Sequence, residues 1–177
     1  TSYVQRNRTM SNRNQGFTLV ELVIVVSILT VTSSIAVLAI TDLIELSRQQ
    51  VLLTQIQDTI QHARAKAVLN HQTVVVCGTR DMKTCTSDWR NGWLAKKEAT
   101  GQILALTLLP SAKELRWIGF GDQKIRFYEN GTSPWSNGRF YQCYKRRIAW
   151  QLILSRQGRL RQGSAEENAS KASLCKP

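Results

Sequence analysis

Gly16-Phe17-Thr18-Leu19-Val20-Glu21 marks the point where a polar, basic leader gives way to a long apolar run carrying one acid near its start. Upstream, Thr1 to Gly16 holds Arg6, Arg8 and Arg13 and no acid, with Met10 as an alternative start. Downstream, Phe17 to Ile40 is 24 residues whose one charge is Glu21, with no proline or glycine. As helix that run is about 36 Å long, enough to cross a hydrocarbon core of about 30 Å. Positive charge before it and little after it put the N-terminus in the cytoplasm and the bulk of the chain outside. An ordinary secretory signal is cleaved after its apolar stretch, at small residues such as Thr32-Ser33-Ser34. This run is long for such a signal and continues well past them. A carboxylate at Glu21 costs on the order of 3 kcal/mol within a bilayer. It either reaches the headgroups about one turn away or pairs with a positive group on another copy or a partner.

Beyond Asp42 the pattern becomes one-sided. Leu46, Leu53, Ile56, Ile60, Ala63 and Ala67 recur at helical spacing, with Arg48, Gln49, Gln57, Asp58, Gln61 and Arg64 between them. No helix breaker occurs from Phe17 to Leu69. One continuous helix of about 50 residues, near 75 to 80 Å, is therefore predicted, its second half packing one face on a head. After Asn70 the composition turns to strand. Thr73–Cys77, Trp93–Lys96, Ile103–Leu109, Leu115–Ile118, Lys124–Tyr128, Arg139–Tyr144, Ile148–Leu154 and Arg159–Arg161 are short runs separated by turn signals such as Asn91-Gly92, Pro110, Asn130-Gly131 and Gln157-Gly158. The expected class is α+β, a long N-terminal helix packed on a C-terminal antiparallel sheet. The corresponding segments are a leader at 1–16, a membrane-spanning half-helix at 17–41, an amphipathic half-helix at 42–70 and a head at 71–177.

The chain of 177 residues has 24 Lys and Arg against 12 Asp and Glu, a formal charge of +12. From His71 onward 18 basic residues face 8 acidic ones, so the head alone carries about +10. That balance suggests a polyanionic partner such as nucleic acid or an anionic membrane surface. Cys77, Cys85, Cys143 and Cys175 all fall in the head and would oxidise on export. Four cysteines allow three connectivities, and local spacing favours Cys77 with Cys85 and Cys143 with Cys175. No Cys-x-x-Cys or His-x-x-x-His spacing recruits His62 or His71 to a metal. With no phosphate loop, no nucleophile elbow and no paired acids at useful spacing, neither an enzyme, a cofactor nor a small-molecule substrate is expected.

Gly16 to Glu21, followed by an uninterrupted apolar helix, resembles the class III signal of type IV pilins and type II secretion pseudopilins. The resemblance implies cleavage after Gly16 by a prepilin peptidase and N-methylation of Phe17. It also implies that Glu21 neutralises the N-terminal amine of a neighbouring subunit during assembly. The implied location is the bacterial inner membrane, head periplasmic, and then a pilus or its tip at the cell surface, among other pilins. The order of the remaining signals resembles the FimT/GspH group of minor pilins and pseudopilins, over nearly the whole chain but with little signal from Gln102 to Asp122.

Binding chemistry is expected at Gly158-Arg159-Leu160-Arg161. In a strand, Arg159 and Arg161 face the same way about 6.6 Å apart, so two guanidiniums can each grip phosphate oxygens in bidentate fashion. Gly158 allows the tight turn, and Arg156 adds to the patch. A charged edge strand that merely prevents sheet pairing has the same composition. Gly-Arg-x-Arg near the C-terminus resembles the DNA-binding motif of FimT-type minor pilins that serve natural transformation, which implies DNA as partner. Secretion pseudopilins of the same fold carry a similar Gly-Arg for structural reasons. Arg116, Lys124 and Arg126 extend the basic surface, with Arg126 expected exposed between Ile125 and Phe127. The run Lys145-Arg146-Arg147 reads as a solvated strand connection. Among the tryptophans, Trp93 and Trp150 suit the core, and Trp135 is the exposed one, a candidate for stacking on bases.

Overall fold

The computed structural model describes residues 16–108, 115–121 and 124–176, without the side chains of 34–39. The leader arginines Arg6, Arg8 and Arg13, the alternative start Met10 and the Pro110 strand stop lie outside the described residues. Helix α1 runs Leu19–Leu69. It begins two residues later than the apolar run does, because Thr18 acts as N-cap: its hydroxyl accepts from the Glu21 amide at 3.2 Å. Phe17 therefore precedes the helix. The chain divides into two compact units, the first ending at Leu43 and the second running from Ile44.

In the first unit the helix has no polar face. Leu19, Val20, Leu22, Val23, Ile24, Val25, Val26 and Ile28 are all exposed, which is the surface of a helix that needs lipid or neighbouring helices around it. Ser27 donates to the Val23 carbonyl at 2.7 Å and Thr32 to that of Ile28 at 2.9 Å. These two hydroxyls are thereby satisfied within the helix, as an apolar environment requires. Among the described residues no helix is long and apolar enough to cross a membrane. The sequence run from Phe17 to Ile40 includes residues 34–39, whose side chains lie outside that set.

In the second unit α1 buries Leu52, Leu53, Ile56, Ile60, Ala63 and Ala67. Leu46, expected in this stripe, is 58% exposed, and Leu52 takes a place in it. Among the described residues the stripe packs on eight antiparallel strands: β1 (Val74–Gly78), β2 (Gly92–Lys97), β3 (Ile103–Leu108), β4 (Leu115–Gly119), β5 (Ile125–Phe127), β6 (Gly138–Tyr144), β7 (Arg147–Leu154) and β8 (Leu160–Gln162). They form two sheets rather than one, in the orders β3-β2-β1-β5 and β4-β6-β7-β8. Each sheet receives a strand out of turn, since β4 joins the second sheet before β5 completes the first. One core joins both sheets to the helix, with Trp93, Ile125 and Phe127 from one sheet and Trp117, Phe140, Trp150 and Leu152 from the other. Trp89 joins Trp117 and Phe140 in an aromatic cluster with ring centroids 4.5 to 6.4 Å apart. The Trp93 indole donates to the Thr59 hydroxyl at 2.9 Å, fixing where the helix lies over the first sheet.

Disulfides close the pairs that spacing favoured, Cys77–Cys85 and Cys143–Cys175. The second fastens a C-terminal segment that the sequence reading left unassigned: α2 (Ala165–Ser170) and a 3-10 turn (Ala172–Cys175). Both pack against β7, where Tyr141 and Gln151 on the covered face of the second sheet are buried.

Truncating Ile56 to Ala should cost about 2–5 kcal/mol, since a filled core site relaxes only in part. Leu46→Ala should leave stability within about 0.5 kcal/mol, as expected for an exposed position. Thermal melts of the two variants in detergent, read against the parent, check the pair; equal losses would refute this assignment of the buried face.

Candidate nucleic-acid interface

The β7–β8 hairpin turns at Ser155-Arg156-Gln157-Gly158. Gly158 N donates to the Ser155 carbonyl at 3.0 Å, and Ser155 N donates to the Arg159 carbonyl at 2.9 Å. With Gly158 at φ +72°, this is the bonding of a three-residue loop closed by a left-handed residue. A Cβ on Gly158 would run into the carbonyl oxygen of Gly131, in the neighbouring turn. That same oxygen accepts from Arg64 Nε on α1 at 3.0 Å, and Ser133 N donates to the Arg156 carbonyl at 2.8 Å. Two turns and a helix side chain therefore lock together, and Gly158 is required by packing as well as by φ.

Arg159 leaves this rigid base exposed. It borders an open recess of about 710 Å³ lined also by Ile60, Arg64, Ala65 and Val68 of α1. Arg156, on the turn itself, is exposed too. Arg161 differs. Its guanidinium makes a bidentate pair with Glu167, at 2.8 and 2.7 Å. The twin of free guanidiniums expected from the i, i+2 spacing is thus reduced to one, joined by Arg156 from the turn. Glu167 also closes a capping box: its carboxylate accepts from Ser164 N at 2.9 Å, while the Ser164 hydroxyl accepts from Glu167 N at 3.2 Å. The hydrogen bonds from Arg161, and then that from the Ser164 amide, depress the Glu167 pKa to about 2. The signal was present in the sequence as Ser164-Ala165-Glu166-Glu167, a capping-box spacing, but nothing local says that the box will face β8.

The remaining basic candidates do not converge on this turn. Arg116 is exposed on β4, at the opposite edge of the second sheet from β8. Lys124 and Arg126 belong to the other sheet's side. Arg126 is half-buried and ion-paired with Glu98 at 2.7 Å, not openly exposed, because β5 lies beside β1 and brings it under Glu98. Of the tryptophans, Trp89, Trp93, Trp117 and Trp150 are buried, while Trp135 is exposed and stacks on the equally exposed Phe120 with centroids 6.3 Å apart. At the other end of the chain Gly16, Phe17, Thr18 and Glu21 line one recess.

Residues 53–158 match the family model described as Type II transport protein GspH, and residues 11–40 match the prokaryotic N-terminal methylation motif. The chain belongs to the GspH family. It is a pilin-like protein, a minor type IV pilin or pseudopilin, and not an enzyme. Membership implies a prepilin peptidase and other pilins as partners, and an inner-membrane prepilin that later enters a filament. The fold is similar to that of the type IV minor pilin FimU of Pseudomonas aeruginosa, at 21% identity and a TM-score of 0.51 over 66% of this chain and 89% of that one. A second crystal form of FimU gives 22% identity, 66% and 94% coverage and a TM-score of 0.48. No curated protein sequence matches the chain. The GspH match ends at Gly158, so Arg159 and Arg161 lie just beyond the matched residues.

Gly158→Ala should destabilise the head by about 1–3 kcal/mol through backbone strain and the collision with Gly131; an unchanged melting temperature would count against the interlocked turns. A second expectation concerns pH. Because the folded pKa of Glu167 lies below its ordinary value, the contribution of the pair is present above about pH 4.5 and fades as pH falls through about 2. Amide exchange across α2 should accelerate over that window and, in Glu167→Gln, already at neutral pH; protection independent of both would refute the pairing.

Proposed function

We propose that this GspH-family chain is a minor type IV pilin that binds extracellular DNA without sequence preference and supports DNA uptake in natural transformation. The observation carrying the reading is Arg159, exposed beside Arg156 on a turn held rigidly by Gly158, Gly131 and Arg64, on a head with about +10 formal charge. Guanidiniums on a preorganised turn grip phosphate oxygens in fixed geometry and lose little side-chain freedom doing so. Contacts of this kind position a backbone and carry no base information. In this reading Gly158, Arg159 and Arg161 form the motif, with Arg161 available once Glu167 lets go.

Delivery follows the N-terminal hexapeptide. Prepilin peptidase cuts after Gly16, Phe17 is N-methylated, and the Glu21 carboxylate meets the amine of a neighbouring subunit. Segment 17–41 holds the chain in the inner membrane, with 42–70 anchoring the periplasmic head. The recess shared by Gly16, Phe17, Thr18 and Glu21 supports this, since it puts the acid about one turn from the new terminus. A second reading, a structural minor pilin or type II secretion pseudopilin that primes filament assembly without DNA, is favoured by the packing role of Gly158. A strain lacking the protein separates them: lost transformation with filaments intact supports DNA capture, and lost filaments or secretion supports assembly.

Duplex binding by the full chain in neutral detergent, measured over a salt series, tests the site. Each phosphate contact adds about 0.9 to the slope of log affinity against log salt, so Arg156→Gln with Arg159→Gln should lower the slope by about 2. Arg161→Gln should change little, and Glu167→Gln, which releases Arg161, should tighten binding. Identical slopes in parent and double variant would overturn the assignment.

A further inference from the structure

A strip of α1 beside the core stripe stays exposed. Gln61, Ala65, Val68 and Leu69 stand at i, i+4, i+7 and i+8, so they share a side of the helix, and all four are exposed. This side is offset from the stripe of Ile56, Ile60, Ala63 and Ala67 that the sheets bury. Together with the β7–β8 turn it lines the open recess of about 710 Å³ that Arg159 borders. The methyl group of Ala65 leaves space that a longer side chain would take, and Leu69, 73% exposed, offers an apolar wall.

The recess is built before any ligand arrives. Arg64 Nε donates to the Gly131 carbonyl at 3.0 Å, which holds that side chain against the neighbouring turn. A Cβ on Gly131 would come to 3.0 Å from Val68 Cγ2 and 3.2 Å from Arg64 Nε, so both side chains rest against bare glycine backbone. Arg64 and Arg159 are the charged groups among the lining residues, and none of those residues is an acid. Aliphatic walls with cations beside them suit a ligand that has an apolar body and an anionic end.

A nucleotide is such a ligand. We propose that the recess takes one unpaired base of a DNA strand whose phosphates lie on Arg156 and Arg159, so that the head prefers single-stranded DNA, including ends and gaps, to duplex. It rests on the reading that the β7–β8 turn binds DNA. In a duplex each base is stacked and paired, and bringing one into the recess costs the pairing and stacking it gives up. In a single strand the base is already free, and its faces leave water for the aliphatic walls. The recess does not choose among bases, because aliphatic side chains read no base edge and the Gln61 amide both donates and accepts. The exposed strip alone would serve a neighbouring protein as well; the bordering arginines, with no acid among the lining residues, favour a chain that carries anions.

The test uses the full chain in zwitterionic nanodiscs and three fluorescent probes of equal length: a single DNA strand, its duplex and an abasic strand. The parent should bind the single strand at least about tenfold tighter than the duplex, which must first give up pairing. It should also bind it tighter than the abasic strand, which keeps the phosphates and lacks the bases. Ala65→Leu, which fills the recess, and Leu69→Ser, which removes a wall, alter exposed positions and no charge, so melting temperature and salt slope should stay as in the parent. Single-strand affinity should fall about tenfold in each, toward that of the abasic strand, with duplex affinity unchanged. If the parent binds duplex and single strand alike, or the variants hold the single strand as tightly as the parent does, the recess is overturned and the turn site stands. If the parent binds none of the probes, recess and DNA-capture reading fall together. Loss in these variants of cross-linking between copies of the chain, with single-strand affinity unchanged, overturns the proposal in favour of a protein contact.

Discussion

Everything in the head depends on the buried face of α1. Leu52, Ile56 and Ile60 are fully or almost fully removed from solvent, and the same face meets both sheets, so neither sheet has a core without it. The Trp93–Thr59 hydrogen bond adds direction to what is otherwise a non-directional apolar contact. At its last turns the helix gives up apolar packing for a polar grip, as Arg64 reaches the Gly131 carbonyl and sets the seat on which the β7–β8 turn rests. The position of Arg159 is inherited through that chain of contacts from the helix.

Much of this was legible in the residues. The eight strands appear close to where β-branched runs and turn signals put them, and the helix stripe differs by one exchange, Leu52 for Leu46. Spacing shows period but not phase against a particular partner, and at Leu46 the helix has not yet reached the sheets. The split into two sheets was not legible, because β4 and β5 change places in space without any local mark. A pattern of alternating short strands is the same whether the strands share one sheet or two.

The geometry of the candidate site was legible only in part. Gly158 reads correctly as a turn residue, while its collision partner, Gly131, is far away in sequence. Arg161 reads as a free cation until α2 folds back and presents Glu167. Sequence spacing can show that two side chains share a face, but whether a third side chain occupies that face is tertiary information. The same holds for Arg126, which neighbours in sequence leave open and Glu98 closes.

The Cys143–Cys175 bond has a mechanical side. A hairpin tip pulled along its strands loads the ladder of β6 and β7 in shear, with many hydrogen bonds sharing the force. The weak point under such a load is a free terminus that can peel away one bond at a time. Here the stretch from β8 through α2 is fastened at Cys175 to Cys143 near the end of β6, so a pull from its C-terminal side cannot peel it from β7 until a covalent bond breaks.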